Sequence, residues 1–170
     1  MPARISPAQA AARPDNAPAV GTAAPMPEAG PVATEYQLLL ATLGIDLNTL
    51  RNTQSTERKI EAKRTMIEKY RAWVEGAAEA AAGAQDEIVA IIMIWAIDIQ
   101  DWALALKLAE YVLLAGIQLP ERYNRPPATL VAEEVAEAGI KEPGSVPFEV
   151  LNAVADLVTD ADIFDQVRAK

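Results

Sequence analysis

The chain has 170 residues, room for one compact domain and a tail. Hydrophobic residues make up 51% of it and charged residues 23%, so it can bury a core, while a mean hydropathy of +0.07 is far below that of a membrane protein. With no Cys and no His, disulfides, thiolate or imidazole metal sites and Cys-His or Ser-His nucleophile pairs are all excluded.

The longest apolar run, 88–97, has ten residues, about half of what a bilayer span needs. The first residues carry prolines and two arginines but no apolar signal core, so a soluble, unprocessed cytoplasmic protein is expected, with no membrane partner. Net charge is −9, which argues against an electrostatic DNA binder acting through its whole surface. The charge is uneven, however: −2 over 1–50, +4 over 51–71 and −11 over 72–170.

Seven of the twelve prolines fall before residue 32, and so Pro- and Ala-rich a stretch cannot offset its ordering entropy by apolar burial. Residues 1–33 are therefore expected to be a disordered arm, and 34–170 a helical domain. The apolar spacing that follows is helical throughout. A first helix over 35–50 turns Leu39, Leu40, Leu43, Leu47 and Leu50 to one side. A second, long helix over 56–82 has Ile60, Ile67, Tyr70, Trp73 and Val74 on a narrow seam. The seven-residue steps from Ile60 to Ile67 to Val74 fit a coiled-coil partner, so Ile60, Ile67, Tyr70 and Val74 are candidates for a subunit contact.

A third helix over 86–97 is apolar on every face and must be surrounded by protein, with Asp86 at its positive end. Asp101 can cap a fourth helix over 102–115, which Gly116 closes, and so short a turn makes the two antiparallel neighbours. That fourth helix carries a second apolar stripe, Leu104, Leu108, Tyr111 and Ala115. With the third helix it is expected to leave apolar surface exposed for self-association. Pro120, Pro126 and Pro127 impose an extended connector before a helix over 128–138, ended by Gly139. Another helix over 148–158 follows, and 163–170 reads as the start of one more. The expected fold is thus all-α, a bundle of about six helices packed as repeat-like hairpins.

No phosphate-binding loop of either common pattern is present, so the chain does not hydrolyse ATP. Asp98, Asp101, Glu133 and Glu134 are the carboxylates placed to hold a divalent cation. Capping explains the first two, and the adjacent glutamates diverge by about 100° on a helix. No catalytic residue, metal site or cofactor is therefore assigned. The cluster from Arg51 to Arg71 is the one feature suited to phosphates. Within it Glu61 and Glu68 stand three residues before Arg64 and Arg71, the spacing of ion pairs along one helix face. Lys59, Lys63, Arg64 and Lys69, with Arg122 and Arg125 on the connector, are the candidate DNA contacts.

Trp73-Val74-Glu75-Gly76, Gly83-Ala84-Gln85-Asp86-Glu87-Ile88 and Met93-Ile94-Trp95 form a combination that extends through Asp98, Asp101, Ala105-Leu106, Ala109, Tyr111 and Pro120. It continues in Arg125-Pro126-Pro127, Glu133-Glu134-Val135-Ala136 and Val167-Arg168-Ala169-Lys170. This combination resembles the small terminase subunit of tailed phages, in the family called DNA-packaging protein M and often labelled terminase endonuclease subunit. The resemblance implies a helical subunit without ATPase activity, located in the host cytoplasm. It further implies that such a subunit binds viral double-stranded DNA at the packaging site, hands it to a large terminase subunit and forms a homo-oligomeric ring. Two readings from the residues alone stay open beside it: a helical-repeat scaffold that binds only protein, and a metal-dependent nuclease.

Overall fold

A computed structural model describes residues 22–159. Seven α-helices carry them: α1 Pro31–Asn52, α2 Thr56–Met66, α3 Glu68–Ala80, α4 Glu87–Asp98, α5 Trp102–Ala115, α6 Pro127–Lys141 and α7 Phe148–Thr159. A short 3-10 turn, Glu121–Tyr123, interrupts the proline connector. The described residues contain no strand, only an isolated parallel bridge between Ala24 and Ala84. The all-α expectation holds.

Helix α4 is the axis, because Ile88 to Ile97 are all buried and an all-round apolar helix is stable only when surrounded. Asp86 begins it by accepting from the Val89 amide at 3.0 Å. Asp101 does the same for α5 through the Leu104 amide at 3.2 Å, and Gly116 closes α5 with a φ of 69°. The resulting α4–α5 hairpin is the most extensive helix pairing, α6 and α7 form a second hairpin against it, and α1, α2 and α3 complete the cover.

The second stripe of α5 does not remain outside. Leu104, Leu108 and Tyr111 are buried within the chain, so the surface expected to drive self-association is closed by α3, α4, α6 and α7. The helix expected over 56–82 is divided in two at Ile67, where the Tyr70 amide donates to the Ile67 carbonyl, an i to i+3 bond of 3.0 Å. Ile67, Tyr70 and Val74 lie in the core, each at 0% exposure. Three of the four residues expected at a subunit contact are therefore internal packing, and Ile60 is half-buried. The inward seam was real, but its partner is α4 and not another chain.

Gly139 does not end α6, which runs through it to Lys141. The Ser145 hydroxyl and the Glu142 amide donate to the Ala138 carbonyl at 3.1 Å each, which extends the last turn. The helix expected over 163–170 lies outside the described residues.

The arm also differs from expectation along its last third. Ala23 is buried, its amide donates to the Gly116 carbonyl at 2.9 Å, and the Gln85 amide donates to the Ala24 carbonyl at 2.5 Å. Met26 packs against the core. The segment thus ties the loop after α3 to the loop after α5 before Pro31 starts α1. Alanine-rich chain docks here because two turning loops leave backbone groups in need of partners, a reason that apolar content alone does not disclose. Comparing a chain that starts at residue 28 with one that starts at residue 22 should show the loss of these ties. At about 1 kcal/mol net per backbone bond, the shorter chain should melt lower by roughly 4–8 °C. Equal melting temperatures would show that the segment contributes nothing.

Candidate nucleic-acid interface

Helix α2 is entirely a surface helix with no fully buried residue. Ser55 starts it, accepting from the Arg58 amide at 3.3 Å, after the short turn that follows Asn52. Its inner side rests on the core through Ala62 and Met66, so its basic residues divide by side. Arg58 and Arg64 are exposed, whereas Lys59 and Lys63 are half-buried.

Four cations of the cluster are held in ion pairs. Lys63 donates to Asp98 at 2.6 Å, placing a positive charge at the C-terminal end of α4, where a carboxylate is otherwise disfavoured by the helix dipole. Arg64 pairs with Glu61 at 3.2 Å on the open surface. Arg71 bridges Glu68, Glu75 and Asp101, and its hydrogen bond holds the Glu68 carboxyl below its usual range.

Lys69 is the case the local pattern conceals. Its ammonium donates to both oxygens of Asp46 at 2.8 and 3.0 Å, and the Tyr70 hydroxyl donates to the same carboxylate at 2.6 Å. Asp46 is only 4% exposed. It is the one charged residue of α1 between Glu35 and Arg51, set among inward-facing leucines, and that placement is the signal by which it could have been found. Burial and the Asp46 charge together push the Tyr70 hydroxyl pKa far up, so it remains a hydrogen-bond donor.

Arg51, Arg58 and Lys59 make no ion pair among the described residues. They sit at the corner where α1 meets α2. Arg122 and Arg125 are exposed on the connector, but Arg122 lies 5.1 Å over the Tyr123 ring and Arg125 pairs with Glu133. Of the six expected DNA contacts, Lys59 is thus unpaired, Arg64 is exposed in a weak surface pair, and Lys63 and Lys69 serve the fold. Arg51 and Arg58 belong with the first two.

A groove of about 510 Å³ separates α2 from α6, with Lys59, Lys63 and Lys141 facing Asp98, Glu134 and Glu137. Its mixed charge suits neither a polyanion nor a cation alone. Glu134 is half-buried, and burial first, then the Asp98 and Glu137 charges, raise its pKa. The other carboxylates considered for a cation are engaged: Asp98 with Lys63, Asp101 with the α5 amide and Arg71, Glu133 with Arg125. No group of three or more such residues among the described ones could hold a metal ion.

The family model for the phage small terminase subunit matches residues 40–166. The chain belongs to that family. It is also 37% identical, over 148 residues, to the "Terminase, endonuclease subunit" of Escherichia phage P2; the match covers 84% of this chain and 60% of that relative. The chain thus spans about 60% of the length of the relative it matches. No solved structure matches it significantly. The matched region takes in α2 to α7 and most of α1, so the cationic corner lies inside the part shared with the small terminase subunit family.

Asp46→Ala should leave the buried Tyr70 hydroxyl without an acceptor and cost about 1–3 kcal/mol. Arg64→Ala, at an exposed pair, should stay within about 0.5 kcal/mol. Urea titrations with unchanged slope would read both, and equal midpoints would show that the Asp46 cluster is not a structural tie.

Proposed function

We propose that this chain works in phage genome packaging as a small terminase subunit, a binding and assembly protein that engages viral double-stranded DNA and delivers it to a large terminase subunit. The observation that carries the reading is the family match over residues 40–166. The corner of α1 and α2 supports a DNA contact, since it holds Arg51, Arg58 and Lys59 without ion-pair partners among the described residues, in a chain of net charge −9. Contact there is to backbone phosphates, which Lys and Arg neutralise whatever the base sequence. A local positive patch on an acidic body also orients the protein, because the rest of its surface repels the duplex.

A homo-oligomer, arranged as a ring, is part of this reading: few cations per chain become an adequate DNA surface only when several copies present them together. The host cytoplasm is its place of action. No described helix is long and apolar enough to cross a membrane. The relative in phage P2 carries "endonuclease" in its name. Here Asp98, Asp101 and Glu133, three of the four candidate carboxylates, are held in caps and ion pairs, which supports binding over strand cleavage.

Fluorescence anisotropy with a duplex from the packaging region, across a salt series, tests the DNA half. Replacing Arg58, Lys59 and Arg64 with Gln should reduce the salt slope by up to about 0.9 for each phosphate-binding cation removed. The fold should be unaffected, since none of the three side chains is buried. An unchanged slope moves the surface elsewhere, and no binding even at low salt removes DNA from the reading.

A further inference from the structure

The loops after α3 and α5 form a slot for an extended segment, and the structure shows what fills it. Ala24 pairs with Ala84 in a parallel bridge, the Ala23 amide donates to the Gly116 carbonyl at 2.9 Å and the Gln85 amide to the Ala24 carbonyl at 2.5 Å. Met26 and Pro27 continue along an apolar groove of about 380 Å³ that Trp73, Ala77 and Tyr111 also line. We propose that in the assembled protein residues 22–27 of one copy occupy the slot of the next, so that the strap seen within the chain becomes the link from subunit to subunit. This rests on the homo-oligomeric ring of the function proposed above and names the contact that builds it.

The strap is separable from the helix that follows it. Its hydrogen bonds join backbone groups, so the same segment from any copy satisfies them equally, whereas α1 packs on α4. Between the two lie Glu28, Ala29 and Gly30, all exposed. This short link is bounded by Pro27 and Pro31, each of which fixes its own φ and restricts the residue before it. Within the chain the direction changes at Gly30, whose φ of 96° is open to glycine and rare for other residues. The Gly30 carbonyl is anchored, accepting from the Thr34 amide and hydroxyl at 3.1 Å each, so the strap swings about the bonds before it. A short hinge confined in this way lets a terminal element exchange between copies at little cost, since every contact made within the chain is made again between chains.

Charge and symmetry favour this occupant. Residues 22–27 carry no charge, and the side chains of 1–27 sum to +1 (Arg4, Arg13, Asp15) where the remainder sums to −10. The segment therefore enters an acidic neighbour without the repulsion that two acidic bodies meet when they pack face to face. Strap and slot are different surfaces of one chain, so the contact is head-to-tail. Repeated from copy to copy it closes into a ring, without a two-fold axis between neighbours.

The chain has no Cys, so introduced thiols report cleanly. Paired strands lie about 4.8 Å apart, within the roughly 7 Å between Cα atoms that a disulfide allows, which suits Ala24 and Ala84. Ala24→Cys and Ala84→Cys are made as separate variants, expressed together and oxidised after purification. Exchange should join them in a covalent dimer holding up to about half of the chains, the share for random mixing around a head-to-tail ring. Ala24→Cys expressed with Ala103→Cys, exposed on α5, should stay unlinked. A few Gly and Ser residues inserted after Ala29 let the strap fold back onto its own chain, so the insertion should lower both the dimer yield and the mass. If light scattering finds an oligomer while the mixed variants stay unlinked and the double variant Ala24→Cys/Ala84→Cys closes within single chains, the exchange is wrong and the ring reading stands. A monomer that links only within itself overturns both.

Discussion

The burial of one helix that has no polar side governs this molecule. Every residue from Ile88 to Ile97 is shielded, so neighbours must stand around α4 on all sides, and each must bring an apolar face. Both ends of the helix still need charge compensation. At the N-terminal end Asp86, only 2% exposed, accepts from the Val89 amide and from the Trp73 indole at 2.8 Å. At the other end Asp98 meets Lys63. Those two bonds bring α3 and α2 to the ends of the axis, which makes the position of the basic helix a consequence of how α4 terminates.

This dependence explains which parts of the fold could be read from the chain. Caps are local, and Asp86, Asp101 and Gly116 could be assigned because the group each satisfies lies within a turn or so of it. Pairs along one helix face are local too, hence Glu61 with Arg64 and Glu68 with Arg71. Lys63 with Asp98 and Lys69 with Asp46 span 35 and 23 residues. They form only after the helices have packed, and no spacing rule anticipates them. The same limit explains the seam of Ile60, Ile67, Tyr70 and Val74: its apolar character was legible, but periodicity cannot tell whether a stripe meets its own chain or another. The packing of α3 against α4 decides it. For the DNA site the cluster was legible and its membership was not, because two of the chosen lysines are committed to long-range pairs.

The core also closes without help. Tyr111, expected on an exposed stripe, is buried, and its hydroxyl accepts from the Gly83 amide at 2.9 Å. A polar tip near the surface with an apolar body beneath is a common way for tyrosine to seal a core edge. What remains outside is therefore informative in a way that total hydrophobicity is not. Leu38, Ile45, Leu114, Ile140 and Phe148 are left exposed by a chain that had enough helices to cover its axis.

Charge is then divided along α1. Its last turn carries Arg51 beside the start of α2, with Arg58 and Lys59, while the stretch before it is uncharged on the outside because Asp46 is drawn inward by Lys69 and Tyr70. Had Asp46 faced outward, a carboxylate would interrupt the stretch between Leu38 and Arg51. The inward turn of one carboxylate therefore leaves the outer side of α1 uncharged from Tyr36 to Leu50 and its last turn positive, a separation of charge along a single helix.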